Sequence, residues 1–388
     1  MIGNEKGSGI LLGIDIGGTF TDVVVYDPEN GNLHMAKAPS NPTQPASAFF
    51  AGIDKVFSEQ HLESRQLARI LHGSTVATNA VLEGSGSRLG LITTEGFGHI
   101  LEIGRAYIPG IFTNYMRWEK PERLVPLQSV VEIPERLAVN GSIVREFNDD
   151  LAHERIAVLI ASGVEAIAVS LLHSYVNPDH ERRVAEIIHE IAPDMPVSLS
   201  SDILPEYREY ERTMTTVLNS FVMPAVSRYL GEIGNGLESR GIDADLHIVR
   251  SDAGVMSLAA ARERPVNTVL SGPAGGVQAA AHLADAAGFP HIVSLDMGGT
   301  STDVCLSTSA EPRLSTDTWV SHYPIKVPII DITTIGAGGS SSPTYPPPEP
   351  CGSDRAAGAD PVPPATGAAA RPRPLPTLTW SWAVCRSS

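Results

Sequence analysis

The sequence predicts a layered α/β fold organised around two copies of one glycine-rich hairpin. The octapeptide Asp15-Ile-Gly-Gly-Thr-Phe-Thr-Asp22 recurs as Asp296-Met-Gly-Gly-Thr-Ser-Thr-Asp303, identical at six of eight positions and 281 residues further on (15 to 296). Each copy sits between two apolar, β-branched runs, the pattern of a strand–turn–strand unit. Between the copies, apolar runs of strand length alternate with segments of helical spacing. That alternation marks α/β layering.

The elements follow in order. Ile10 to Ile16 is an apolar strand, Gly17-Gly18-Thr19 the turn and Asp22 to Tyr26 the returning strand. Leu33 to Ala38, Ala68 to Leu71, Leu89 to Thr93 and Val130 to Ile133 read as further strands. Leu151 to Ser162 has helical spacing behind the capping candidates Asn148, Asp149 and Asp150. Ala166 to Leu172 is apolar throughout, as expected of a buried parallel strand. Pro178 to Ile191 reads as a helix with its proline near the first turn. A second block starts near Val197. Glu206 to Arg240 reads as a long helix interrupted at Pro224, and Asp245 to Arg250 as a strand. Gly272-Pro-Ala-Gly-Gly276 opens an alanine-rich helix to about Gly288, and the strand Ile292 to Met297 leads into the second hairpin.

The chemistry of the hairpins follows from their residue types. Glycine lets backbone N–H groups approach phosphate oxygens without a Cβ in the way. Threonine hydroxyls add short donors. The first aspartate of each copy ends a strand, where its carboxylate can hold a magnesium ion through water, because magnesium keeps most of its hydration shell. Two such loops would grip phosphates by position and charge, which is what phosphoryl transfer requires. A lone Asp-x-Gly-Gly is an ordinary hairpin turn; the repetition in matching contexts is what favours the phosphate reading. The expected phosphate-loop residues are Gly17, Gly18, Thr19, Thr21 and Asp22, with Gly298, Gly299, Thr300, Thr302 and Asp303. Asp15 and Asp296 are the candidate catalytic and metal-holding carboxylates. The expected ligands are ATP and Mg2+.

Other segments read less sharply. In His72-Gly-Ser-Thr-Val-Ala-Thr-Asn79, small polar residues suit a substrate or phosphate, while Ser74 or Thr75 equally suits a helix cap. Ser271-Gly-Pro-Ala-Gly-Gly276 lies at a helix start, which favours anions; Gly275 and Gly276 are candidate nucleotide contacts, with close helix packing as the alternative. Arg105 reads as a substrate-neutralising or a surface arginine, and Asp252 as a carboxylate at a strand end. His173 and His180 read as surface or core residues rather than metal ligands.

Bulk properties exclude several classes. A formal net charge of -16 argues against nucleic acid as a main partner, because phosphate backbones seek a basic face. No apolar run approaches the roughly 18 residues of a membrane helix, so no membrane association is expected. The polar start, Met1 to Gly9, lacks the apolar core of an export signal, and the cytoplasm is the expected compartment. Cys305, Cys351 and Cys385 show neither CxxC nor metal-ligand spacing. No GxxxxGK[ST] or GxSxG segment occurs.

The paired loops resemble those of the actin/hexokinase/Hsp70-like ATPase fold, with duplicated ribonuclease-H-like domains. More specifically, Leu12 to Asp22, His72 to Ala80, Ser170-Leu-Leu-His-Ser-Tyr-Val-Asn-Pro178, Ser271 to Gly276, Asp296 to Asp303 and Asp331-Ile-Thr-Thr-Ile-Gly-Ala-Gly-Gly339 together resemble the hydantoinase/oxoprolinase family, and most closely its alpha, ATP-binding subunit. The resemblance covers about residues 9–340. It implies ATP-dependent opening of a small cyclic amide or imide, such as a hydantoin or 5-oxoproline, by phosphorylation of the amide oxygen. It also implies a beta subunit and therefore a hetero-oligomer. Related members carboxylate ketones. The expected domains are 9–195 with the first loop, 196–340 with the second, and a tail, 341–388. That tail holds eleven of the 30 prolines and no Ile, Met or Phe. It is expected to be disordered and reads as out-of-frame sequence, with the C-terminal part of the fold incomplete.

Overall fold

The computed structural model describes residues 9–17, 20–41, 44–105, 122–297 and 302–335. They form two compact units. The first takes the chain up to Gly275 together with Leu314–Ile330; the second takes Gly276–Arg313 and the chain from Asp331.

The first unit begins with the expected hairpin, β1 (Ile10–Ile16) and β2 (Phe20–Asp27), followed by β3 (Asn32–Pro39), the helix α1 (Pro45–Gln60), β4 (Leu67–Ser74) and the short helix α2 (Val76–Leu82). A second layer follows: β5 (Leu89–Thr94), β6 (Val130–Ile133), α3 (Asp149–Ala161), β7 (Ala166–Ser170), α4 (Asp179–Ile191) and β8 (Val197–Leu199). The long helix α5 (Glu209–Ser239) precedes β9 (Asp245–Val249) and β10 (Val255–Ser257). The first sheet has the order β10-β9-β4-β1-β2-β3. Its β1–β2–β3 meander is antiparallel, and β1, β4 and β9 run parallel. The second sheet, β8-β7-β5-β6, is parallel throughout.

The burial of β7 follows from its composition. Every residue from Ala166 to Ser170 is buried. Ala166 and Ala168 face the larger core with α5, while Ile167 and Val169 face the smaller core with α3 and α4. A strand covered on both faces must be apolar on both, which is why it reads as a continuous run. The helix α3 starts as expected: the Asn148 side chain accepts a hydrogen bond from the Leu151 N–H at 3.0 Å.

The sequence expectation failed at Pro224. Helix α5 runs unbroken through it. An interior proline forfeits one backbone hydrogen bond and costs about 3 kcal/mol. Phe221, Val222, Val226, Tyr229 and Leu230, all buried around it, more than offset that cost. The same helix buries polar residues that are all satisfied. Thr213 shares a hydrogen bond with Ser170 at 2.7 Å, and Asn219 donates to Ser198 and Glu263 and accepts from the Val266 N–H.

Arg212 is the largest fully buried side chain described. Its guanidinium donates to Ser200 Oγ and to the carbonyls of Glu206 and Leu171, and it lies over the Tyr175 ring. Burial holds its pKa below the usual arginine value. Beside it, buried Glu181 accepts from the Leu171 and Ser201 N–H groups and from the Ser200 hydroxyl. This network pins the Ser170–Pro178 segment.

The boundary expected at 195/196 separates β7 from β8, yet these strands pair in parallel, Val197 beside Ile167. The compact units divide at 275/276, with Leu314–Ile330 returning to the first. In the second unit, α6 (Ser271–Ala286) crosses that division, followed by β11 (Ile292–Met297), β12 (Thr302–Thr308) and β13 (Ile332–Ile335). Both β11 and β13 pair antiparallel with β12. The tail expected at 341–388 lies outside the described residues.

Replacing Arg212 with Met should destabilise the chain by about 3 kcal/mol or more, because the buried Leu171 carbonyl loses its donor and buried Glu181 its compensating charge. Urea unfolding at neutral pH measures it; a loss under about 1 kcal/mol would show the network to be dispensable.

Candidate functional site

The site is built at the C-terminal ends of β1 and β4. Asp15 is the penultimate residue of β1 and is exposed. In the hairpin register it lies opposite Asp22, so both carboxylates share one face. The turn closes with the Gly17 N–H donating to the Phe20 carbonyl at 3.1 Å. A Cβ on Gly17 would come within 3.2 Å of that carbonyl. Gly18 and Thr19 lie outside the described residues.

On the other side of β1, Asp15 pairs with Gly73 of β4. A Cβ at Gly73 would stand 3.0 Å from Asp15 Oδ1. The glycine therefore leaves the space the carboxylate occupies. This is the sharpest steric requirement at the site. Thr75 donates to the Ile16 carbonyl at 3.2 Å, and Ser74 accepts from the Val76 N–H, at the start of α2. Thr78 accepts from the Leu270 N–H at 2.8 Å, and Ser271 donates to the Ser74 carbonyl at 3.2 Å. Three segments far apart in sequence thus converge: the first hairpin, the His72 segment and the start of α6.

Underneath lies a buried pair missed by sequence reasoning. His72 Nδ1 is 3.2 Å from the Ile14 carbonyl, and its Nε2 is 2.6 Å from the Tyr229 hydroxyl. A carbonyl only accepts, so Nδ1 carries the proton and Nε2 accepts from Tyr229. Burial drives the His72 pKa down to about 4, against the smaller opposing pull of the Ile14 carbonyl. Burial likewise pushes the Tyr229 phenol up. No periodicity could have revealed the pair, because its members are 157 residues apart.

Some expected residues sit elsewhere. Thr21 is fully buried on the face opposite Asp15, sharing a 3.0 Å hydrogen bond with Ser40. Strand alternation enforces this: Thr21 pairs with Ile16, whose side chain points into the core. Its hydroxyl therefore faces the wrong way for a phosphate donor. Thr302 is buried at the equivalent position. Asp22 forms an ion pair with Lys37 at 3.0 Å, which puts a cation beside the hairpin that sequence reasoning also missed. Both side chains are about half exposed, so the pair adds little stability.

Arg105 is held by Glu211 through two hydrogen bonds, at 2.9 and 2.5 Å, which raise its pKa. Its alternative as a surface arginine stands. Asp252 lies beyond the end of β9, in the turn to β10, not at the strand end. There it accepts from the Gly254 N–H and pairs with Arg250 at 2.8 Å. His180 is a core histidine, bonded to buried Glu135 at 2.7 Å.

Gly275 and Gly276 lie exposed in the second turn of α6, and nothing approaches within 4 Å of where a Cβ would stand. Each costs about 1 kcal/mol relative to alanine in a helix. The described fold gives no steric reason for either glycine.

The second hairpin repeats the first in register. Asp296 pairs with Asp303, as Asp15 does with Asp22. Thr334 of β13 stands opposite Asp303 where Lys37 stands opposite Asp22, and its hydroxyl donates to Asp303 Oδ1 at 2.6 Å. Partial burial, with Asp303 adding to it, raises the Asp296 pKa. Gly298, Gly299 and Thr300 lie outside the described residues. Among those described, no cluster of three or more His, Cys, Asp or Glu suits a metal.

Two family models match the chain: the hydantoinase/oxoprolinase N-terminal region over residues 11–192 and hydantoinase/oxoprolinase over residues 212–367. The chain belongs to the hydantoinase/oxoprolinase family. Within the family, the caprolactamase subunit alpha of Pseudomonas jessenii is 33% identical over 334 residues, covering 85% of this chain and 48% of that protein. The structure of ATP-dependent caprolactamase from that organism matches with a TM-score of 0.76 at 33% identity, over 85% of this chain and 48% of the other. A nucleotide-free acetone carboxylase matches with a TM-score of 0.77 at 30% identity and the same coverage. The 5-oxoprolinase of Saccharomyces cerevisiae is 32% identical over 386 residues, covering 87% of this chain and 29% of that protein. The chain thus spans about half the length, or less, of the curated relatives it matches. No helix among the described residues is long and apolar enough to cross a membrane.

Because His72 is held neutral, its contribution to stability is full above pH 6.5 and is lost as pH falls toward 4. At pH 5 the loss should be about 2 kcal/mol relative to pH 7, given a fall from 6.5 to about 4. Urea unfolding at both pH values measures it. The difference should disappear in His72→Gln, while Tyr229→Phe should lower stability by about 1 kcal/mol at pH 7.

Proposed function

We propose that this chain is the ATP-gripping part of an enzyme that activates an amide carbonyl by phosphorylation, built on a duplicated actin/hexokinase/Hsp70-like fold. The observation that carries the reading is the repeated meander: β1–β2–β3 and β11–β12–β13 pair in the same order and register around Asp15 and Asp296. Asp15 is the residue of the first hairpin suited to Mg2+: it is exposed, at a strand end, with Gly73 clearing room beside it. Asp296 is its counterpart. Backbone N–H groups at the two turns, Gly17 among them, and the open glycines Gly275 and Gly276 suit the phosphates and the nucleotide. Thr75 and the His72–Tyr229 pair hold the strand ends in place.

When bound, ATP supplies the phosphoryl group that makes an amide oxygen a leaving group. Attack by water on the activated carbon would then give a tetrahedral adduct whose C–N bond breaks, the nitrogen leaving as a protonated amine, to open the ring as an acyl phosphate; a second water would release phosphate and leave the carboxylate. A cyclic amide or imide is the proposed substrate class, because relatives named caprolactamase and 5-oxoprolinase both carry ring amides in their names. The likeness to acetone carboxylase favours a second reading, ATP-dependent carboxylation of a ketone. In either case a beta-type partner subunit and a cytoplasmic hetero-oligomer are proposed, since relatives carry subunit names.

Equilibrium binding tests the grip directly. Asp15→Asn and Asp296→Asn should each weaken Mg-ATP binding at least about tenfold, or 1.4 kcal/mol, and weaken ATP without magnesium far less. Gly73→Ala should do the same by displacing Asp15, with little change in melting temperature. Unchanged affinity in all three would sink the assignment. ATP turnover with the beta-type subunit over caprolactam, hydantoin, 5-oxoproline and acetone separates the substrate readings. Stimulation by acetone with bicarbonate alone would favour the carboxylase.

A further inference from the structure

Each hairpin carries two aspartates directly opposite one another, and like charges so placed repel. The third strand of each meander continues that row. In the first, Lys37 of β3 stands opposite Asp22; in the second, Thr334 of β13 stands opposite Asp303. The second row keeps its two carboxylates with only a hydroxyl beside them. There the Asp296 pKa rises, through partial burial and then through Asp303. Closing such a hairpin therefore does not require a cation, and the lysine at position 37 calls for another reason.

Its geometry supplies one. The Lys37 ammonium lies 3.0 Å from Asp22 Oδ1 and 5.2 Å from the centre of the Phe20 ring. Phe20 and Asp22 alternate on β2 and so share a face, with Phe20 next to the turn. The ammonium is thus drawn toward the turn, on the side where Asp15 stands near the end of β1. The Lys37 carbonyl accepts from Lys55 Nζ of α1 at 2.8 Å, which fixes the backbone from which the side chain reaches. Lys37 and Asp22 are both about half exposed, so their pair adds little stability. The ammonium has three donors, and Asp22 Oδ1 takes one. Neighbouring strands lie about 4.8 Å apart, so Lys37 starts roughly 10 Å from Asp15 across the sheet and reaches back over Asp22. A phosphate group beside a metal held at Asp15 falls between the two charges.

We propose that Lys37 is the cation of the phosphate grip. Its ammonium donates to phosphate oxygens at the mouth of the first hairpin, and Asp22 is the positioning residue that aims it. This rests on the phosphate-gripping reading above and adds a difference of role: among the described residues, the first meander's row brings a fixed positive charge and the second's does not. During transfer a bond forms between a substrate carbonyl oxygen and the γ-phosphorus. The bond from that phosphorus to the β–γ bridging oxygen breaks, and its electron pair leaves with ADP. Lys37 keeps its protons throughout. It offsets the negative charge gathered on the phosphate oxygens, as phosphoryl transfer requires.

The test uses the full chain and two probes, Mg-ATP and Mg-tripolyphosphate, the second of which carries phosphates without adenosine. Either probe at saturation should slow acylation of the Lys37 amine by acetic anhydride at least about tenfold, read by peptide mass, and leave Lys55 unchanged. That measurement needs no variant. Lys37→Met should weaken binding of both probes at least about tenfold, and Lys37→Arg, which keeps the charge, less than about threefold. Asp22→Asn should weaken binding about threefold and speed Lys37 acylation in the free chain, because an amine without its carboxylate partner gives up its proton more readily. Arg88→Met, which removes a cation from an exposed pair with Glu165, should leave binding unchanged. Binding that spares Lys37 acylation and survives Lys37→Met overturns the assignment while the phosphate grip stands. Binding of neither probe by the unaltered chain overturns the grip itself, and the role of Lys37 with it.

Discussion

The candidate site depends on the close approach of two parallel strands, β1 and β4. Asp15 can stand at the end of β1 only because residue 73 of β4 has no side chain. The approach is locked one register step below, where His72 bridges the Ile14 carbonyl and Tyr229 of α5. This ties the long central helix to the strand that carries the carboxylate. A hydrogen-bonded imidazole kept neutral by burial acts here as a rigid spacer, since its charged form is excluded at neutral pH.

The neighbouring interactions serve the same geometry. Thr75 fastens the start of α2 to the end of β1, while Thr78 and Ser271 fasten the start of α6 to β4 and α2. The result is one end of a sheet where strand ends, helix starts and glycines gather. That is the usual place for ligands in open α/β sheets. The second parallel sheet is held by a different device, the buried Glu181–Arg212 network, which orders the segment after β7. Removing either device would leave buried polar groups without partners.

The two matched hairpins differ in how far their apolar faces are covered. The first meander carries its cover within the described residues and the second does not. The contrast between Ile14 and Leu295, identical in role and opposite in exposure, expresses this most directly.

Much was legible in the sequence. The duplicated hairpins, the continuous apolar run of β7 and the Asn148 cap are local patterns, set by alternation, burial on two faces and a single side-chain bond. The sequence by itself determined that Asp15 and Asp296 end matched strands. The tertiary structure decided which neighbours they meet. It turned Thr21 into the core, placed Lys37 beside Asp22, carried α5 through Pro224 and brought His72 to Tyr229. Each of those outcomes depends on register or on packing between segments far apart in the chain. Local pattern carries no record of either, because the free energy that selects them comes from burial that exists only once the sheets and helices have assembled.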